Sequence, residues 1–268
     1  MVHTVINNLI RYLKLTGKIA KYSYIASLEY RFNYAVRILR IFIEFGLALL
    51  FINVFFQNTS ILGNWTKEGV ILVYGIFTSI FALVFTFLDG NLEELAWRKI
   101  INGELDGVLT KPVDTQFLVS FGRMHIQNLW RVALGIVMSV YAISGMGVSI
   151  GMVQLMVFLG TSVCAALIIF SLLSLVSTLS FWTLTSEPVD MASTTLTITR
   201  YPMDIFPKKI VHWLTIFPLI FIATVPARAL LGKFDLLTWI SPIVAILFLA
   251  VSRKFFYWAL RHYSSASS

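Results

Sequence analysis

The sequence is poor in charge. Only 13% of its 268 residues are Asp, Glu, Lys or Arg, about half the share found in soluble domains. With 58% hydrophobic residues, including 22 Phe, 10 Tyr and 7 Trp, a water-soluble fold of this length could not hide its apolar surface, so lipid must be the solvent for much of it. Cysteine is nearly absent: Cys164 is the single one, it makes no internal disulfide, and within an apolar run it reads as a small buried residue. The four histidines, His3, His125, His212 and His262, are dispersed without paired metal-ligand spacing, and are expected near the inner membrane boundary. No G-x-x-x-x-G-K-[ST] occurs. Gly232-Lys233 is followed by Phe234 and lacks the upstream glycine, so nothing in this chain would cradle ATP phosphates in a P-loop. The net charge of +8 is spread between apolar runs rather than gathered in one patch, which excludes nucleic acid as a partner. Residues 1–33 are too long and too polar for the n-region of a cleavable signal.

What is present is a series of apolar runs. A helix needs ~20 such residues to cross ~30 Å of hydrocarbon. A first span is expected from near Tyr34 to Phe56, and a second from Gly69 to Leu88. No charged residue occurs from Val132 to Ser186, too long a stretch for one helix, and Gly145, Gly147 and Gly151 mark the turn that divides it. The third span is then Met124 to Ser144 and the fourth Met152 to Phe181. Ile210 to Ala227, interrupted by Pro218 and Pro226, is a fifth, and Leu236 to Ser252 a sixth.

An even number of spans puts both termini on one side, and the positive-inside rule makes that side cytoplasmic. The inner segments then hold all of the 21 Lys and Arg residues except Lys67, Arg228 and Lys233. Arg200, Lys208 and Lys209 form the third inner group. Ahead of the first span, Arg11, Lys14, Lys18 and Lys21 recur at helical spacing beside an apolar stripe of Ile6, Leu9, Leu13, Ala20 and Tyr24, the pattern of an interfacial helix on an anionic leaflet. The expected architecture is an all-α integral membrane protein in a single transmembrane domain: an interfacial helix over 1–33, six spans over 34–258, and a cytoplasmic tail over 259–268.

The loop from Asp89 to Gln116 is the longest polar segment between spans. Leu92, Leu95, Trp97, Ile100 and Ile101 are apolar among charges, which predicts a short amphipathic helix. Gly103 breaks it, and a second short helix from Glu104 to Leu109 ends before Lys111 and Pro112.

The run W-R-K-I-I-N-G-E-L-D-G-V-L-T-K-P-V at Trp97–Val113 resembles the first cytoplasmic loop of ABC exporter permeases of the second bacterial type, in particular their small six-helix subfamily. T-L-T-I-T-R-Y-P-M-D-I-F-P at Thr195–Pro207 and F-P-L-I-F-I-A-T-V-P-A-R-A-L-L-G at Phe217–Gly232 agree with it. The resemblance implies one transmembrane half of an ATP-driven exporter in the cell (inner) membrane. That half pairs with a second permease, identical or paralogous, and is powered by two separate ATPase subunits that carry the ATP and Mg. This chain itself would then be no enzyme and hold no cofactor. The resemblance also makes the loop between spans two and three a coupling helix inserted into the ATPase, and puts short re-entrant helices between spans five and six. On that reading Trp97, Arg98, Ile101, Gly103, Glu104, Leu105, Asp106, Leu109, Lys111 and Pro112 belong to the coupling loop. Trp97, Ile101, Leu105 and Leu109 supply its apolar face, and Glu104 and Asp106 supply charges at the rim.

Other function classes leave traces to weigh. Glu93-Glu94 with Arg98, and Phe121 with His125, resemble the first two motifs of CAAX-type intramembrane proteases, but they fall in or beside the polar loop and the third motif is missing. A secondary transporter or channel would show several intramembrane charges lining a path; here Glu44 is the main one, with Arg37 and Arg40 near the inner boundary. Glu44 either pairs with Arg40 one turn earlier or lines the pathway or the seam with the second permease, where Pro218 and Pro226 are further candidates.

Overall fold

The computed structural model describes residues 2–29 and 31–264. The side chains of Ile6, Leu9, Leu13 and Trp97, and residues 265–268 of the tail, lie outside the described residues. Among the described residues the chain is helical without a strand.

Helix α1 (Val2–Glu29) leaves Arg11, Lys14, Lys18 and Lys21 exposed. α2 (Arg31–Phe55) follows, then a short loop to α3 (Lys67–Leu88), whose N-terminus is capped by the Thr66 hydroxyl accepting from Gly69 N–H. Between α3 and the next span lie a π-helical segment Leu95–Ile101, α4 (Glu104–Leu109) and α5 (Thr115–Phe121). α6 (Asn128–Met146) ends at Gly147, whose φ of 64° is the left-handed stop that a glycine supplies without strain. α7 (Met152–Thr178) returns and is followed by a single turn, α8 (Ser180–Thr183).

Among the described residues five helices, Phe32–Phe55, Lys67–Leu88, Asn128–Met146, Met152–Thr183 and Leu236–Leu260, are long and apolar enough to cross a membrane. They correspond to the first four expected spans and the sixth. The tightest pairing is α3 with α6. A Cβ on Gly75 would stand 2.7 Å from the Gly135 carbonyl oxygen, and one on Gly135 2.6 Å from that of Gly75. The two backbones therefore touch through small residues, the way helices associate where no water drives them together.

The region of the expected fifth span departs from the sequence reading. α9 (Glu187–Leu196) packs on α7, and a 3-10 turn, Thr197–Arg200, packs on α3. At the start of this segment Asp190 lies against Glu93, just past the C-terminal end of α3. At its far side Asp204 accepts a 2.8 Å hydrogen bond from the Trp65 indole, just before the N-terminal end of α3. Residues 187–203 thus run the length of the bundle. α10 (Lys208–Ile216) and α11 (Thr224–Leu230) then form a hairpin bent by 79°. The hairpin begins and ends at the Trp65 end: Ile205 packs on Gly63, Arg228 bonds Asp204 and Asp235 at 2.7 Å each, and Gly232 abuts Gln154 at the start of α7. α12 (Leu236–Leu260), capped by Asp235, leads back to the opposite end.

Ile210–Ala227 is interrupted, as its prolines suggested, and one expectation about the path is corrected. The break falls at Phe217–Pro218, whereas Pro226 sits in the first turn of α11, where its missing N–H leaves no bond unmade. Arg200, Lys208 and Lys209 do not share a loop at the Asp89 end: Lys208 opens α10 only four residues after Asp204.

Candidate coupling loop and intramembrane polar seam

The loop beyond α3 is rigidly built. Leu95, Ile100, Leu105, Val119 and Phe256 form an apolar cluster of their own, backed by Val108, Phe181, Tyr257, Leu260 and Tyr263. Gly103, at φ 72°, turns the chain between the π-helical segment and α4. Leu105 is completely buried in that cluster, which corrects its assignment to a partner-facing surface: a six-residue helix shows only one side, and Leu105 lies on the inner one. Ile101, Asn102, Gly107, Leu109, Thr110 and Lys111 are on the exposed side. Glu104 is exposed but bonds Arg98 at 3.3 Å, and Arg98 also bonds Glu94. Asp106 follows Leu105 into the first turn of α4. Pro112 accepts a 2.8 Å hydrogen bond from Arg11 through its carbonyl, tying the loop to α1.

Two residues not singled out by sequence hold the loop in place. Asp114 caps α5 by accepting from Phe117 N–H, and also accepts from Arg253 at 2.6 Å and from the Tyr257 hydroxyl at 2.8 Å. Burial raises its pKa, but these three bonds outweigh it and hold the carboxyl below the usual range. Its backbone N–H donates to the Tyr12 hydroxyl. One residue therefore joins α1, α5 and α12, and the D-T-Q-F spacing, an N-cap signature, was the available signal. Lys99 is buried with its ammonium donating to the Val119 carbonyl at 3.0 Å. Burial lowers its pKa to about 8, against the pull of Glu94.

Glu94 bonds both Arg98 and Arg123, and His125 lies beside Asp89. Within the E-E-x-x-x-R pattern Glu94 is thus held in ion pairs with two arginines, and among the described residues it has no histidine partner.

Glu44 pairs across helices. Its carboxylate accepts a 2.6 Å bond from Arg131 on α6, which corrects the expected pairing with Arg40 on its own helix. A cavity of about 80 Å³ beside this pair is lined by Phe45, Tyr74, Thr197 and Arg200 among others, and by neither Pro218 nor Pro226. The Arg200 guanidinium lies 6.0 Å from the Tyr74 ring centroid. A polar seam therefore joins α2, α3, α6 and the 187–203 segment. On that segment Glu187, Asp190, Met191, Thr194, Thr195 and Ile198 form an exposed face that is largely polar.

A family model described as ABC-2 family transporter protein matches residues 42–267. The chain belongs to that family. Comparison with curated proteins and with solved structures returns no match. As an ABC-2 family member the chain is a multi-pass membrane permease of an ABC transporter and associates with ABC ATPase subunits.

Proposed function

We propose that this permease is one transmembrane half of an exporter that pairs with a second permease chain, identical or paralogous, and is driven by two separate ATPase subunits holding ATP and Mg. The chain crosses the membrane six times, by α2, α3, α6, α7, residues 187–203 and α12. The bent hairpin α10–α11 is re-entrant at the outer face. Both termini and the Asp89–Gln116 loop are cytoplasmic, in the cell (inner) membrane. The polar face of residues 187–203 cannot rest against hydrocarbon, because the exposed Glu187 and Asp190 carboxyls there would lack water; it faces the pathway or the second permease.

The observation that carries this reading is the exposed side of the loop. Ile101 and Leu109 stand out from a platform fixed underneath by Leu105, Asp114 and Arg98. A few aliphatic anchors presented on a rigid support are what a partner groove needs, and each is worth about 1–2 kcal/mol or more when buried. Replacing Ile101 and Leu109 together by Asp should abolish co-purification of the ATPase while leaving the helical content and detergent behaviour of the permease unchanged. Leu105→Asp, by contrast, should unfold the loop. ATPase binding that survives the Ile101/Leu109 double change would remove this face as the coupling element.

A further inference from the structure

The Asp89 end of the bundle holds two adjoining cavities, of about 520 Å³ and 320 Å³, with Arg37 and Gln127 in the walls of both. The larger opens between α1 and the start of α2 and is lined by Tyr22, Ser27, Asn33, Tyr34 and His125 among others. The smaller reaches between α2 and α6 to Arg40, Asp89, Asn128 and Arg131. Their cations are unequally satisfied. Arg131 is neutralised by Glu44 and Arg123 by Glu94. Arg37 and Arg40 have no hydrogen bond or ion pair among the described residues. His125 Nδ1 is enclosed with no hydrogen-bond partner, the Asp89 carboxylate being 3.8 Å away.

The placement of the two free guanidiniums is specific. On α2, Ile41 and Phe45 are buried against the rest of the chain, while Val36, Leu39, Ile43, Leu47 and Leu50 form the exposed apolar stripe. Arg37 and Arg40 flank Glu44 between the buried face and this stripe; both are exposed, Arg37 in the walls of both cavities and Arg40 in the wall of the smaller. Arg40 immediately precedes the apolar part of the helix, which sets both cations at headgroup depth. A guanidinium fork fits phosphate oxygens, and hydroxyl and amide groups nearby suit the remaining acceptors. The exposed stripe of α2 gives acyl chains a path away from the cavity.

We infer that these cavities bind the phosphate of an anionic glycerophospholipid from the membrane leaflet, held by Arg37 and Arg40 where the two cavities meet along α2. The site is distinct from the coupling loop and needs no ATPase to form. Zwitterionic lipids carry an ammonium group that these two cations repel, so the site selects for net negative headgroups.

The test uses the purified full chain in mild detergent, titrated with phosphatidylglycerol or phosphatidylcholine of the same acyl composition, with bound lipid read by native mass spectrometry. Phosphatidylglycerol should bind about tenfold more tightly. Arg37→Gln/Arg40→Gln should weaken it by about tenfold or more, at roughly 1 kcal/mol per basic residue, whereas Lys254→Gln/Arg261→Gln at the same end of the bundle should not. Millimolar inorganic phosphate should fail to displace the lipid. As a readout independent of the folding of the arginine variant, Asn33→Cys in a Cys164→Ser background, modified after purification with a sulfonate-bearing thiol reagent, should lose phosphatidylglycerol. Equal retention of the two lipids, binding that survives the arginine change or the Asn33 modification, or displacement by inorganic phosphate would each overturn the assignment, the last in favour of a free-phosphate site.

Discussion

Lys99 carries an ammonium group into the interior of the coupling loop. In an unfolded chain it titrates at 10.5, and burial in the folded loop lowers this to about 8. Below pH 8 both states hold the proton, and the folded state bears the cost of the buried charge. Between about pH 8 and 10.5 the unfolded chain retains a proton that the folded chain has released, so stability rises with pH across this window, by at most about 3 kcal/mol. Lys99→Met removes that dependence. At pH 7 it should be more stable than wild type, less about 1 kcal/mol for the lost bond to the Val119 carbonyl. Its advantage should shrink as the pH is raised to 10.5, measured as the difference in unfolding midpoint between the two proteins. A difference that stays flat with pH would mean that the Lys99 ammonium reaches water. The same scale shows how a short helix misleads sequence reading. Leu105 and Leu109 lie four residues apart on α4, a separation expected to put them on one face. Leu105 is nevertheless buried and Leu109 exposed, because the helix is barely longer than a turn and its partners, Val119 and Phe256, are remote in sequence.

Among elements, α2 is the least tightly held span, with most of its apolar side chains exposed. The Glu44–Arg131 pair is its main polar tie to α6. In water such a pair would contribute little, but removing one partner inside a membrane strands the other charge at a cost of about 3–5 kcal/mol. Glu44→Gln and Arg131→Gln should each lower the thermal stability of the purified permease and its transport. The exchange Glu44→Arg/Arg131→Glu should recover a substantial part of the stability, because it restores the pair with reversed polarity. If the exchange is no better than the single changes, the pair does not hold α2 in place. The sequence exposed the need for a partner, since a lone carboxylate in an apolar helix demands one, but not its identity. Arg40 satisfied the helical spacing, whereas Arg131 becomes a neighbour only through the contact of α2 with α6. The five apolar spans were legible because each is a long run with few charges. Residues 187–203 were not legible as a segment running the length of the bundle, because Glu187, Asp190 and four threonines make it read as a loop. The threonines hide their polarity locally: the Thr195, Thr197 and Thr199 hydroxyls donate to backbone carbonyls three or four residues earlier.

At the scale of the whole molecule, the path from α7 to α12 decides which cations face which side. Counting charges placed Lys209 with the coupling loop, because Ile210–Ala227 had the composition of a span. The ion pairs of Arg228 with Asp204 and Asp235, together with the Trp65–Asp204 hydrogen bond, instead pin both ends of the α10–α11 hairpin to the end of the bundle opposite that loop. The apolar composition of 210–227 and the 79° bend at Pro218 are compatible with both arrangements, and the pinned ends separate them. The two paths make opposite predictions for one residue. In a Cys164→Ser background, single cysteines at Asn58, Gly107 and Lys209 are exposed to a membrane-impermeant maleimide in intact cells. Asn58 and Lys209 should label together, and Gly107 only after the membrane is permeabilised. Lys209 labelling with Gly107 would restore a fifth span through Ile210–Ala227 and withdraw residues 187–203 as a crossing. Gly107 labelling in intact cells, with Asn58 and Lys209 protected, would invert the whole orientation and put the coupling loop out of reach of any cytoplasmic ATPase.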